Sequence, residues 1–145
     1  MSIRRKEAYK PKSFEAVGGS FIGIHGVNQP DTYARIYESM FQSVAFRTLT
    51  ANQRDLYLCM KLQYYGKRKP SQDYPEIEEL KTDNVFYLNW DLVQEYGLYK
   101  PTCKSNFYKD RNALIEHGLI EIVVNGKIQH KKNVYCYSSE WKNFK

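Results

Sequence analysis

Five polar side chains between residues 104 and 112 have the chemistry to contact a nucleic acid. They are Lys104, Ser105, Tyr108, Lys109 and Asn112. On one face of a helix, their ammonium, hydroxyl and amide groups can bond to phosphates and to base edges. An asparagine can pair with adenine, and a lysine can contact guanine, in the major groove. The same pattern also fits a solvated helix face, so its meaning depends on the elements that position it.

A helix over residues 103–117 is predicted around these side chains. Pro101 disfavours helical angles at the residue before it, Thr102 can cap the new helix, and Gly118 can end it. The other side of this helix is apolar. Its expected buried stripe is Cys103, Phe107 and Leu114, with Ala113 and Asp110 beside them.

A shorter helix is predicted just before it, over residues 90–96. Asn89 is a good N-cap residue, and Gly97 suits the left-handed conformation that ends a helix. Residues 85–88 are expected to form a short strand ahead of this helix. The order is therefore strand, helix, turn and second helix.

A hairpin is predicted after the second helix, with strands at residues 119–124 and 134–137. Asn125-Gly126 is a strong turn signal, because both residues tolerate positive φ. The segment between the strands is basic, and its expected nucleic-acid contacts are Lys127, His130, Lys131 and Lys132. A lysine-rich edge also discourages aggregation of sheets, and the two roles are compatible.

Residues 89–138 resemble the winged helix-turn-helix superfamily. Residues 91–98 look like its first helix and turn, and residues 113–120 look like the exit of its recognition helix into the wing. The resemblance implies an α+β fold, a winged helix-turn-helix with a three-helix core and a β-hairpin wing, which binds duplex DNA. Residues 34–40, 62–69 and 138–142 look like small winged-helix proteins of Gram-positive plasmids and integrative or conjugative elements. Members of that group serve in DNA replication, conjugative transfer or transcription regulation.

Arg111 departs from the superfamily pattern. It stands three residues before Leu114, where the family usually buries an aliphatic side chain. Either the helix is rotated slightly, or the Arg111 stem packs while its charged head stays in water.

The N-terminal half is expected to add a basic arm and two helices. Residues 1–30 form the partly flexible arm, with a short strand at 21–24, and residues 31–145 form the winged-helix domain. The arm can follow DNA or act as a solubilising tail. An extra helix is predicted at 31–46, capped by Asp31. The helix predicted at 51–65, with a capping box formed by Thr50 and Gln53, is expected to be the first helix of the winged-helix core. A turn of helix is expected at 76–80. The expected buried residues of the second helix are Leu56, Cys59, Met60 and Tyr64.

Charge and composition are compatible with a DNA partner. The 145 residues carry a net charge of +6, yet residues 71–96 hold seven acidic side chains and one lysine. That acidic block is expected to face away from DNA, or to pair locally with the basic residues 67–69. The three cysteines are expected to be buried free thiols of a cytoplasmic protein, since no signal peptide or membrane-spanning run is visible.

No arrangement for catalysis, metal binding or cofactor binding is apparent, so we expect no enzyme, no metal and no cofactor. The expected partners are double-stranded DNA, a second copy of the chain, and a replication or transfer enzyme, but no membrane. The alternative function is a protein–protein adaptor that recruits such an enzyme through the acidic and aromatic surface.

Overall fold

The computed structural model describes residues 19–63, 70, 74, 76–81, 84–124 and 133–145. The chain divides into two units, residues 1–31 and residues 32–145. In the first unit, β1 (Ser20–Ile22) pairs antiparallel with β2 (Asn28–Pro30). The strand predicted at residues 21–24 is therefore confirmed over its first two residues. Most of the predicted basic arm, residues 1–18, lies outside the described residues.

The second unit is α+β, as predicted. Its helices are α1 (Glu38–Phe41), α2 (Val44–Arg47), α3 (Ala51–Lys61), α4 (Trp90–Glu95) and α5 (Lys104–Glu116), with 3-10 turns at Glu78–Lys81 and Glu140–Asn143. Its strands are β3 (Val85–Leu88), β4 (Ile120–Val124) and β5 (Asn133–Tyr137). They form one antiparallel sheet in the order β3-β5-β4. The short strand before α4 thus pairs with the returning strand of the predicted hairpin.

The single helix predicted over residues 31–46 is wrong. Residues 31–37 are not helical, so Asp31 caps nothing, and the helical part is split into α1 and α2 at Ser43. Ser43 has an extended backbone, with φ −66° and ψ 153°, and its hydroxyl accepts a hydrogen bond from Phe46 N at 3.2 Å. A serine that caps the next turn competes with helix continuation. Ile36, Met40 and Val44 recur every four residues, as on one face of a helix, but this spacing does not require a continuous helix.

The predicted capping box at the start of α3 is confirmed. Thr50 Oγ1 accepts from Gln53 N at 3.2 Å, and Gln53 Oε1 accepts from Thr50 N at 2.9 Å. The helix ends at Lys61, short of the predicted residue 65. The Gln63 side chain donates to Cys59 O at 3.1 Å, whereas the Gln63 backbone N–H donates to Met60 O. The Gln63 side chain thus bonds to Cys59 O, the carbonyl to which the Gln63 backbone N–H would have donated if the helix had continued.

Thr102 does not cap α5, contrary to the sequence prediction. The N-cap position belongs to Cys103, which makes no capping side-chain hydrogen bond. A turn at Pro101 and Thr102 closes through Cys103 N and Lys100 O at 2.9 Å, so the helix starts one residue later than expected. Cys103 is half-buried at the N-terminus of the helix. The other two residues of the predicted buried stripe, Phe107 and Leu114, are buried.

The main core lies between α3, α5 and one face of the sheet. It contains Leu56, Met60, Phe86, Leu88, Val93, Phe107, Leu114 and Tyr135, among others. Of the residues predicted to be buried on α3, three are confirmed, and Tyr64 lies outside the described residues. A second cluster covers the other face of β3 and contains Tyr74, Leu80, Val85 and Val134. Both faces of β3 are therefore packed, which fixes the start of α4 relative to the sheet.

Candidate nucleic-acid interface

The connection from α4 to α5 is set by local signals that the sequence predicts. Asn89 Oδ1 accepts a hydrogen bond from Leu92 N at 2.9 Å, which caps α4. Gly97 has φ 73°, and Leu98 N donates to Val93 O at 3.3 Å, which closes the end of α4. Glycine adopts positive φ with the least strain of any residue, so the chain turns at this residue. A short turn then leads into α5.

Asp110 ties α5 to both of its neighbours. Tyr99 Oη, from the turn before α5, donates to Asp110 Oδ2 at 2.7 Å. Gln53 Nε2, from the first turn of α3, donates to Asp110 Oδ1 at 3.3 Å. Burial and the hydrogen bond to this carboxylate raise the pKa of Tyr99 far above its ordinary value. The two bonds fix the angle of α5 about its own axis, so that the side with Asp110 faces the rest of the fold.

The outer side of α5 carries the five predicted polar residues, and all five are exposed: Lys104, Ser105, Tyr108, Lys109 and Asn112. The structure therefore brings together, on one solvent-facing helix surface, the groups that the sequence placed there. Tyr108 retains 39% of its exposure even though its ring packs against Phe107, with 5.2 Å between the ring centroids. A helix face of this kind fits the width of a major groove.

Arg111 belongs to this surface, although it is not among the five residues that the sequence predicts there. Its guanidinium carbon lies 4.9 Å from the centroid of the Tyr108 ring. Its Nε and Nη2 atoms donate to Asn112 Oδ1 at 3.3 and 3.1 Å. The residue is half-buried, while both hydrogen bonds are exposed, which supports the second of the two alternatives for Arg111. The three-residue spacing from Tyr108 was the signal that could have identified it.

The hairpin after α5 is confirmed by its strands. Ile120 pairs with Tyr137, and Val124 pairs with Val134, with an irregularity between Ile122 and Val124. Residues 125–132 connect the two strands and lie outside the described residues, together with the four predicted wing contacts Lys127, His130, Lys131 and Lys132. The turn predicted at Asn125-Gly126 lies there too. The wing contact therefore stays a prediction.

The described members of the acidic block are at the surface. Glu76, Glu78, Asp91 and Glu95 are exposed, the last two on α4. The basic residues 67–69, which the sequence offers as local partners for this block, lie outside the described residues. The expectation that the block faces away from a nucleic acid stays a prediction.

The three cysteines, and His117, the one described histidine of residues 32–145, pack within the fold or form hydrogen bonds in it. Cys59 is buried and forms no disulfide, as predicted; Cys103 and Cys136 form none either, but they are half-buried, so the predicted burial is wrong for these two. Burial, with Glu121 nearby, raises the pKa of the Cys136 thiol.

His117 Nδ1 donates to Ala113 O at 2.7 Å, and its ring stacks on Phe144 with 4.4 Å between centroids. Among the described residues, no group of three His, Cys, Asp or Glu side chains is arranged to hold a metal ion.

No described helix has both the length and the apolar character needed to cross a membrane. No family model, no curated protein and no solved structure matches this chain.

Proposed function

We propose that α3, α4, α5 and the β3-β5-β4 sheet form a winged helix-turn-helix with a three-helix core, and that it binds double-stranded DNA in a sequence-specific manner. In this proposal α4 and α5 are the helix-turn-helix, α5 enters the major groove, and the β4–β5 hairpin is the wing. Binding involves no catalysis. The protein would mark a site on a bacterial mobile element and serve its replication, transfer or transcription, as the resemblance of the sequence implies.

The observation that carries this proposal is the division of α5 into two faces. Phe107 and Leu114 are buried in the core, and Asp110 is anchored by two hydrogen bonds. The opposite face presents two lysines, two hydroxyl groups and an amide to solvent. A rigidly held helix can present such groups in a fixed register, which sequence readout requires.

Two kinds of contact would divide the work. Lys104, Lys109 and the lysines of the wing would neutralise phosphates and supply most of the affinity. Ser105, Tyr108 and Asn112 would contact base edges or position the helix on the backbone. The chain would bind as a dimer when its target contains two half-sites, and half-site spacing would then report the dimer geometry.

The test is binding to random duplex DNA, measured by fluorescence anisotropy between about 50 and 200 mM salt. We expect affinity at low salt that falls steeply as salt rises. Replacing Lys104 and Lys109 together by Ala should reduce the slope of log affinity against log salt by about two units. Lys142→Ala, on the C-terminal 3-10 turn, is the matched control and should leave the slope unchanged. No measurable affinity at low salt would overturn the proposal.

A second candidate is the protein–protein adaptor, and one observation favours it. Large apolar side chains are exposed around α1 and α2. Tyr37, just before α1, is 65% exposed, Phe41 on α1 is 55% exposed, and Val44 on α2 is 39% exposed. Large exposed apolar side chains at neighbouring positions mark surfaces that contact proteins. The exposed acidic residues of α4 supply charge for the same kind of partner. A pure adaptor would show no affinity for random duplex at low salt, so the salt titration separates the two functions.

A further inference from the structure

Arg111 and Asn112, on the outer side of α5, are hydrogen-bonded to each other, and the bond changes which groups Asn112 can offer to another partner. We propose that this pair selects guanine in the major groove, as a unit that presents only donors. The inference rests on the proposed DNA binding and adds the base that the helix reads. It replaces the adenine pairing that the sequence alone suggests for Asn112.

The contact with Arg111 fixes the orientation of the Asn112 amide. A guanidinium has five N–H donors and no acceptor, so the Asn112 atom that faces it must be the oxygen. Arg111 Nε and Nη2 both donate to this Oδ1, at 3.3 and 3.1 Å. The atom of Asn112 that remains for another partner is Nδ2, which can only donate.

The donors of this pair match the major-groove edge of guanine and not that of adenine. An asparagine reads adenine by donating to N7 and accepting from the N6 amino group at the same time. That second contact needs Oδ1, which Arg111 occupies. Guanine instead presents two acceptors, N7 and O6, on its major-groove edge. Nδ2 of Asn112 and the N–H groups of Arg111 that Asn112 does not use match these two acceptors.

The Tyr108 ring holds Arg111 in place. Its guanidinium carbon lies 4.9 Å from the Tyr108 ring centroid, within the range of a cation–π contact. Tyr108 is one turn earlier on the same helix, and its own ring packs against the buried Phe107. The tyrosine therefore acts as a platform that orients the arginine, in addition to any contact of its hydroxyl with a phosphate.

The experiment begins with selection of bound duplexes from a random library by the full-length protein. We expect guanine at one position of the selected site. Replacing guanine by 7-deazaguanine there removes the N7 acceptor and should weaken binding of the unaltered protein by about fivefold to a hundredfold. This arm changes only the DNA, so it does not depend on the folding of any variant.

The protein variant that tests the inference most sharply is Arg111→Ala. It releases Asn112 Oδ1, so the preference at that position should move from guanine to adenine. Lys109→Ala, on the same exposed face, is the matched control; it should weaken binding to all sequences and keep the guanine preference. Tyr108→Phe should keep the preference, because the ring remains, whereas Tyr108→Ala should reduce it.

The outcomes separate this inference from the proposal it rests on. Tight binding with no guanine at any selected position, or no effect of 7-deazaguanine, would overturn the guanine inference and leave DNA binding intact. An adenine preference in the unaltered protein would also overturn it. Absence of binding to any duplex at low salt would overturn both.

Discussion

Tyr99 Oη donates a hydrogen bond of 2.7 Å to Asp110 Oδ2, and this bond joins the turn before α5 to the inner side of that helix. The acceptor is a carboxylate, and a hydrogen bond to a charged group contributes about 1.5–3 kcal/mol. The bond also connects the turn to α5 and so helps to hold this helix in its orientation. Its removal should therefore affect both stability and base selectivity.

Replacing Tyr99 by Phe should lower the free energy of unfolding by about 1.5–3 kcal/mol, as measured by urea denaturation. Tyr96→Phe is the matched control, because the Tyr96 hydroxyl accepts from the neutral Gln63 amide at 3.3 Å. It should cost about 1 kcal/mol or less. Equal losses in the two variants would contradict a special role for the contact with Asp110.

Gly118→Ala should destabilise the protein more than Gly97→Ala. Both glycines have positive φ, 79° and 73°, so each alanine incurs about 1–2 kcal/mol of backbone strain. A Cβ at Gly118 would also lie 2.6 Å from Trp141 N and 2.7 Å from Glu140 C, whereas nothing lies within 4 Å of one at Gly97. Backbone atoms cannot move aside as a flexible side chain can. Thermal unfolding of the two variants checks this, and a Gly97 variant of equal or lower stability would contradict it.

Stability should decline at alkaline pH because of Tyr57. Burial raises its pKa from 10.0 to about 12. The folded protein thus keeps a proton that the unfolded chain releases, so this contribution is full below pH 10 and is lost as pH rises toward 12. Tyr57→Phe should make the decline smaller by about 2 kcal/mol over that interval. Denaturation curves at several pH values measure it, and an unchanged decline would assign the effect to other groups.

Replacing Lys131 and Lys132 by Ala should weaken binding to all duplex sequences alike. Each phosphate contact that is lost should lower the salt-dependence slope by about one unit, because fewer counterions are released. Base preference should not change, since the wing would contact the backbone. Salt-titrated anisotropy with specific and random duplexes tests this. An unchanged slope would remove these lysines from the interface.

Several elements follow from the sequence because their causes are local. Asn89 caps α4, Gly97 and Gly118 supply the positive φ that ends a helix, and Thr50 with Gln53 forms the capping box. Each of these acts within about four residues of its own position. The exposed polar face of α5 also follows, because helical periodicity fixes which side chains share a face. The helix predicted over residues 31–46 failed where a second local signal, the Ser43 cap, competed with apolar periodicity.

The sequence by itself determined the order of the helices and strands after residue 84 and the polar character of one face of α5. The tertiary structure decided how those elements meet. The sheet order β3-β5-β4 and the bridge from Gln53 to Asp110 join residues that are far apart in the chain. Packing on the helix also decided that Arg111 lies over Tyr108 and occupies the Asn112 oxygen. Such contacts depend on side-chain rotamers and on burial in three dimensions, for which residue type and spacing carry no unique signal.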